Sequence, residues 1–98
     1  MNYDIDSIRA QFPALSITDK GAARIYFDNP AGTQVSARVV EAMTTCLYET
    51  NANLNGYFFT SEQVTKLTHD AHAAMADLLN APSPDEIVFG QNMTTLTL

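Results

Sequence analysis

The sequence predicts an α/β fold: three helices and two short strands, the opening of a sheet flanked by helices and still incomplete. Three observations carry that expectation. Ile25-Tyr26-Phe27 and Glu86-Ile87-Val88-Phe89 are compact apolar runs of strand length. Two longer stretches between them repeat apolar residues at helical spacing. Finally, Gly90-Gln91-Asn92 forms a turn that leads into Thr94 and Thr95, hydroxyl residues suited to a helix start.

Taken in order, Asp6-Ser7-Ile8-Arg9-Ala10-Gln11-Phe12 reads as a short capped helix. Pro13 halts it, because proline has no amide hydrogen to donate. Thr18-Asp19-Lys20-Gly21 is turn chemistry. The strand Ile25–Phe27 ends at Asp28-Asn29-Pro30-Ala31-Gly32. Ser36 then caps a helix running to about Thr50, with Val39, Val40, Met43, Cys46 and Leu47 on one face. Cys46 lies within that stripe and reads as a small core residue, not as a thiolate nucleophile.

Asn51 to Phe59 is a polar and aromatic loop containing Gly56. Its Tyr57-Phe58-Phe59 cluster either packs on a partner subunit or folds onto the third helix. Thr60-Ser61-Glu62-Gln63 fits a capping box, with Thr60 as cap and Gln63 reaching back. The helix that follows aligns Val64, Leu67, Ala71, Met75, Leu78 and Leu79. Pro82 and Pro84 forbid its continuation, so it ends near Asn80. Glu86 to Phe89 is the second strand. The first turn of a helix exposes unpaired amides and the positive end of the peptide dipoles, so the turn after this strand suits a phosphate.

Composition removes several function classes. Ninety-eight residues allow one small domain, and an apolar fraction of 46% argues against disorder. The net charge is −6, and the five cations, Arg9, Lys20, Arg24, Arg38 and Lys66, do not cluster. A nucleic-acid partner is therefore not expected, nor is adhesion to anionic membranes. No apolar run approaches the roughly 18–20 residues of a spanning helix, and the acidic start lacks a signal-peptide pattern. A single cysteine forms no internal disulfide, and a cytoplasmic location is expected. His69 and His72 stand three apart on a helix, one away from the apolar stripe and one at its border. They read as a solvated face, and no metal site is expected.

Five segments occurring in order resemble the class V aminotransferase group, in its cysteine desulfurase-like branch. They are Phe12–Leu15, Tyr26–Gln34, Asn51–Gly56, Ala76–Ala81 and Glu86–Thr97. The resemblance implies the aspartate-aminotransferase fold, a pyridoxal 5'-phosphate cofactor and an amino-acid substrate. It also implies a homodimer with active sites near the subunit interface.

Residue by residue, the resemblance places the family's phosphate-binding turn on Asn92, Met93 and Thr94, with Thr95 next in line. Two neighbouring hydroxyl residues are usual there, and Met93 occupies one of those positions. Ala31 and Gly32, after Pro30, match a loop bordering the substrate pocket, where small side chains let a substrate approach the backbone. Asn55 matches a position that often carries histidine in desulfurases, with one residue deleted beside it.

The family's Schiff-base lysine, the aspartate on the pyridine nitrogen and the histidine over the ring have no counterpart here. Lys20 sits in a turn and Lys66 on a helix, neither in the family's lysine context. Residues 1–98 are therefore expected to be an N-terminal fragment of a transferase-like domain, a truncated reading frame or half of a split protein, carrying no catalytic residue and inactive alone. Self-association, or a second polypeptide completing the fold, is expected to cover its unpaired edges. The alternatives are a non-catalytic assembly or interaction module derived from that fold, and a small phosphate-ligand binder.

Overall fold

The computed structural model describes residues 3–98 and divides the chain into two units, Met1–Tyr48 and Glu49–Leu98.

In the first unit, helix α1 spans Ile5–Ala10. Its cap is Asp4, whose carboxylate accepts the Ser7 amide at 3.1 Å and the Ser7 hydroxyl at 2.6 Å. These bonds hold the Asp4 carboxyl below the usual carboxylate range. The helix thus begins one turn-position before Asp6, which becomes a first-turn acid favoured by the helix dipole. A 3-10 turn follows at Pro13–Ser16, opened by proline where no amide is needed.

The two strands are not where the sequence suggested. β1, Thr18–Asp19, pairs antiparallel with β2, Ala22–Ala23, in register Thr18 to Ala23 and Asp19 to Ala22. Lys20 at φ 53° and Gly21 at φ 83° form the two-residue connection, the positive-φ pair that matches strand twist. Ile25–Phe27 and Glu86–Phe89 form no ladder. A strand exists only against a neighbour, and among the described residues neither segment has one. Ile25 and Phe27 instead stand in solvent, Phe27 at 96% exposure.

Helix α2 covers Ala37–Thr45 and continues through a π-turn, Cys46–Thr50, so helical backbone reaches Thr50 as expected. Ser36 takes the cap position, but its hydroxyl makes no capping bond. The stripe of Val39, Val40, Met43 and Leu47 is exposed, not core, and Cys46 is only half-buried. Periodicity marks a face that demands a cover; it does not supply one.

In the second unit, α3 runs over Phe59–Leu79. The Thr60–Gln63 capping box does not form, because the helix begins earlier, with Phe58 as its cap residue and Thr60 already inside the first turn. Asn80 ends the helix in the left-handed region at φ 54°, a conformation asparagine tolerates better than most residues. The Ala81 amide then bonds the Ala76 carbonyl at 2.9 Å. A 3-10 turn at Pro84–Glu86 packs against α3 and precedes α4, Met93–Thr97. Ala76 and Ser61 are the buried residues among those described. Leu67, Leu78 and Leu79 of the α3 stripe stand in solvent, and Tyr57, Phe58 and Phe59 are all largely exposed.

Candidate functional site

α4 is the first component. Asn92 is its cap, and the Asn92 Oδ1 accepts the Thr95 amide at 2.9 Å. The Thr95 hydroxyl donates to the Asn92 carbonyl at 3.0 Å. Both Thr95 donors are therefore engaged within the cap. The remaining first-turn amides, those of Met93 and Thr94, have no helical carbonyl behind them. Both residues are exposed, Met93 at 73%. Phosphate needs N–H and O–H donors at a positive helix end, and the Met93 and Thr94 amides with the Thr94 hydroxyl meet that requirement. Gly90 fixes how closely the turn folds: a Cβ there would overlap the Leu96 side chain.

Ala31 and Gly32 belong to the first unit. Asn29–Ala31 is a 3-10 turn opened by Pro30, and the Gly32 amide bonds the Asn29 carbonyl at 3.1 Å. Gly32 has extended backbone at φ 163°, and a Cβ built there meets no atom within 4 Å. Its smallness is thus not forced by the local chain and leaves open space beside the backbone. Upstream of this turn, Arg24 grips Asp19 through two bonds of 2.7 Å, and Tyr26 donates to the Ala14 carbonyl at 3.2 Å. The Arg24 guanidinium holds the Asp19 carboxyl below the usual carboxylate range.

Asn55 lies in the second unit with φ 63°, left-handed. It borders two open clefts. One, of about 630 Å³, is lined by Asn55, Gly56, Tyr57, Glu62, Thr65, Lys66 and His69. The other, of about 390 Å³, lies between α3 and the Pro84–Glu86 turn, with Leu54, His72 and Ile87 among its walls. Asn55, Thr65 and His69 line both. Asn92, Met93 and Thr94 line neither.

The surroundings of these clefts separate the two histidines. His69 is exposed, with Nδ1 3.8 Å from Asp70, and Lys66 pairs with the same carboxylate. The Lys66 hydrogen bond, with a smaller contribution from His69, holds Asp70 below the usual range. His72 is half-buried: its Nδ1–H donates to the Thr68 carbonyl at 2.8 Å. Its ring meets Phe89 edge-on, with centroids 4.7 Å apart. Sequence spacing suggested one solvated pair, whereas only His69 is solvated. No group of three metal-binding side chains occurs among the described residues.

The residues that sequence reasoning missed are Ser61 and Thr65. Ser61 is fully buried; its hydroxyl donates to the Asn53 carbonyl and accepts the Gly56 amide at 2.7 Å. Thr65 accepts the Asn55 amide at 2.9 Å and donates to the Ser61 carbonyl at 2.8 Å. The available signal was a pair of hydroxyl residues four apart at the start of a helix, next to a glycine-containing loop.

The aminotransferase class-V family model matches residues 25–97. Among curated relatives, a probable cysteine desulfurase of Streptomyces coelicolor is 34% identical over 91% of this chain and 22% of its own length. The aminotransferase-like protein FGM3 of Gibberella zeae is 36% identical over 95% of this chain and 23% of its own length. A probable cysteine desulfurase of Aeropyrum pernix is 39% identical, covering 89% of this chain and 20% of its own. The chain thus spans under a quarter of the length of these relatives.

Proposed function

The chain belongs to the class V aminotransferase family, and from that premise we propose that it is the N-terminal part of a pyridoxal-phosphate-dependent, cysteine desulfurase-like enzyme acting on an amino acid. Similarity to proteins named cysteine desulfurase favours this catalytic reading over the assembly module. The observation that carries it is the helix start at Asn92, where a capped but otherwise open first turn presents amides suited to an anion.

In this reading Asn92, Met93 and Thr94 hold the cofactor phosphate. Bound pyridoxal phosphate supplies an electron sink for the substrate's α-carbon. The residues of this chain bind and orient. Met93 contributes its backbone amide, and Thr94 adds a hydroxyl. Ala31 and Gly32 leave room for the amino acid beside the backbone, and Asn55 contributes a polar side chain to the substrate pocket. The lysine that binds the cofactor covalently is assigned to a segment other than these residues. Lys66 is unsuited to that role, being exposed and paired with Asp70; a nucleophilic lysine needs a desolvated, pKa-lowering pocket.

The exposed stripes of α2 and α3 support a further part of the proposal. Further polypeptide, in a homodimer, covers them. A cytoplasmic setting is part of the proposal; among the described residues no helix is long and apolar enough to cross a membrane.

The test compares the native protein with the 98-residue chain. The native protein is expected to take up pyridoxal phosphate, read by its visible absorbance, and to convert cysteine to alanine, with the sulfur freed as sulfide by an added thiol reductant that is oxidised to its disulfide. The isolated chain is expected to do neither. Sulfide release by the isolated chain, or a native protein that takes up no cofactor, would sink the proposal.

A further inference from the structure

We propose that Ser61 and Thr65 are positioning residues for Asn55: two hydroxyls one helical turn apart that clamp consecutive loop amides and so aim the Asn55 side chain. The inference rests on the reading above that Asn55 meets the amino-acid substrate.

Four bonds make the clamp. Gly56 N–H donates to Ser61 Oγ at 2.7 Å, and Asn55 N–H donates to Thr65 Oγ1 at 2.9 Å. Each hydroxyl passes its own proton onward, Ser61 to the Asn53 carbonyl and Thr65 to the Ser61 carbonyl. The hydroxyls therefore act as acceptor and donor at once, so both loop amides and both hydroxyl protons are partnered. Residues four apart on a helix share one face, so the pair presents two acceptors in a row to the loop running past it.

The backbone at Asn55 makes such a clamp consequential. At φ 63° it lies in the small left-handed region, disfavoured for side-chain-bearing residues and tolerated best by asparagine and glycine. A loop free to relax would leave that region, swinging the Asn55 side chain away. Two amides held against a rigid helix prevent this. Ser61, fully buried, anchors one end. The Gly56 position is filled to its limit, since a Cβ there would lie 2.6 Å from the Phe58 ring and 2.8 Å from the Ser61 hydroxyl. The loop therefore has no room to slide toward the helix.

Thr65→Val keeps the shape and removes only the hydroxyl, leaving the Asn55 amide without its acceptor. In the native protein loaded with pyridoxal phosphate, it is expected to raise KM for the amino acid about fivefold, with kcat within about twofold. Cofactor affinity should stay unchanged, because Asn92 and Thr94 are untouched. Thr65→Ser, which restores the hydroxyl, should return KM to the parent value. Amide exchange at Asn55 and Gly56 provides the second readout: faster in Thr65→Val, restored in Thr65→Ser. Ser61→Ala, which leaves the Asn53 carbonyl and Gly56 amide unpartnered, should accelerate the same exchange.

Unchanged exchange in both Thr65→Val and Ser61→Ala overturns the clamp. Asn55→Ala separates the two ideas. If it raises KM while Thr65→Val does not, the positioning role is wrong and the substrate assignment stands. If Asn55→Ala leaves KM untouched, the substrate assignment falls, and the exchange result alone decides whether the clamp exists.

Discussion

Asn92 accepts twice from Thr95, its Oδ1 taking the Thr95 amide at 2.9 Å and its carbonyl the Thr95 hydroxyl at 3.0 Å. This double acceptance decides which donors of the α4 start remain for a ligand. Had Thr95 stayed out of the cap, its hydroxyl would compete for the anion; as it stands, Met93 and Thr94 are left. Replacing Asn92 with alanine removes the cap acceptor, a loss of about 1 kcal/mol in typical helices. The expected outcome is cofactor binding weaker by about fivefold in the native protein, measured by absorbance titration. Asn92→Ser, another good cap residue, should retain most of the affinity.

Gly90 and Leu96 give a second prediction. The Leu96 side chain covers the face of Gly90 where a Cβ would project. Gly90→Ala should destabilise the protein by about 1 kcal/mol or less, below the cost of overpacking a core, because the nearly half-exposed Leu96 side chain can turn aside; denaturant unfolding reads the effect. Combining it with Leu96→Ala should cost less than the sum of the single changes, because the two residues share one volume. Strict additivity would show that the overlap is relieved elsewhere.

The Asp19–Arg24 pair predicts an acid-sensitive hairpin. Arg24 lowers the Asp19 pKa in the folded state, and Asp19 in turn raises that of Arg24, most strongly of its causes. The folded hairpin therefore binds fewer protons than the unfolded one between the two Asp19 values. Its contribution is fully present above the ordinary aspartate value of about 4 and lost as the pH falls through the lowered one. The protection factor of the Arg24 amide, which donates to the Ile17 carbonyl across the hairpin, should fall across that acid range and be flat from neutrality down to about pH 5. Asp19→Asn should abolish the step. Both side chains are substantially exposed, so added salt should weaken the effect.

The helices were legible in the sequence because their signals are local. Pro13 and Pro82 forbid continuation wherever they sit, and the Val39-to-Leu47 period needs no partner to be recognised. The strands were not legible, since a ladder belongs to two segments at once. Ile25–Phe27 has the composition of a strand and no neighbour to bond, while the modest Thr18–Ala23 stretch closes on itself through Lys20 and Gly21. The capping box failed for a related reason. Thr60 and Gln63 have the right types, but the helix starts at Phe59 and leaves Thr60 inside its first turn.

At the candidate site, Asn92 and Thr94 are proposed from the turn and the family likeness together. Ser61 and Thr65 escaped because a hydroxyl on a helix has several possible partners. Only the path of the Asn53–Gly56 loop selects among them.

Phe27 and Tyr57, at 96% and 101% exposure, have a consequence for the cell. Bare aromatic rings in water are what holdase chaperones bind, and any species that prefers the uncovered form draws the population toward it. The yield of this chain should then follow its cellular escorts as much as its own sequence. Supplying whatever sheathes those rings would release the escorts without altering a single codon.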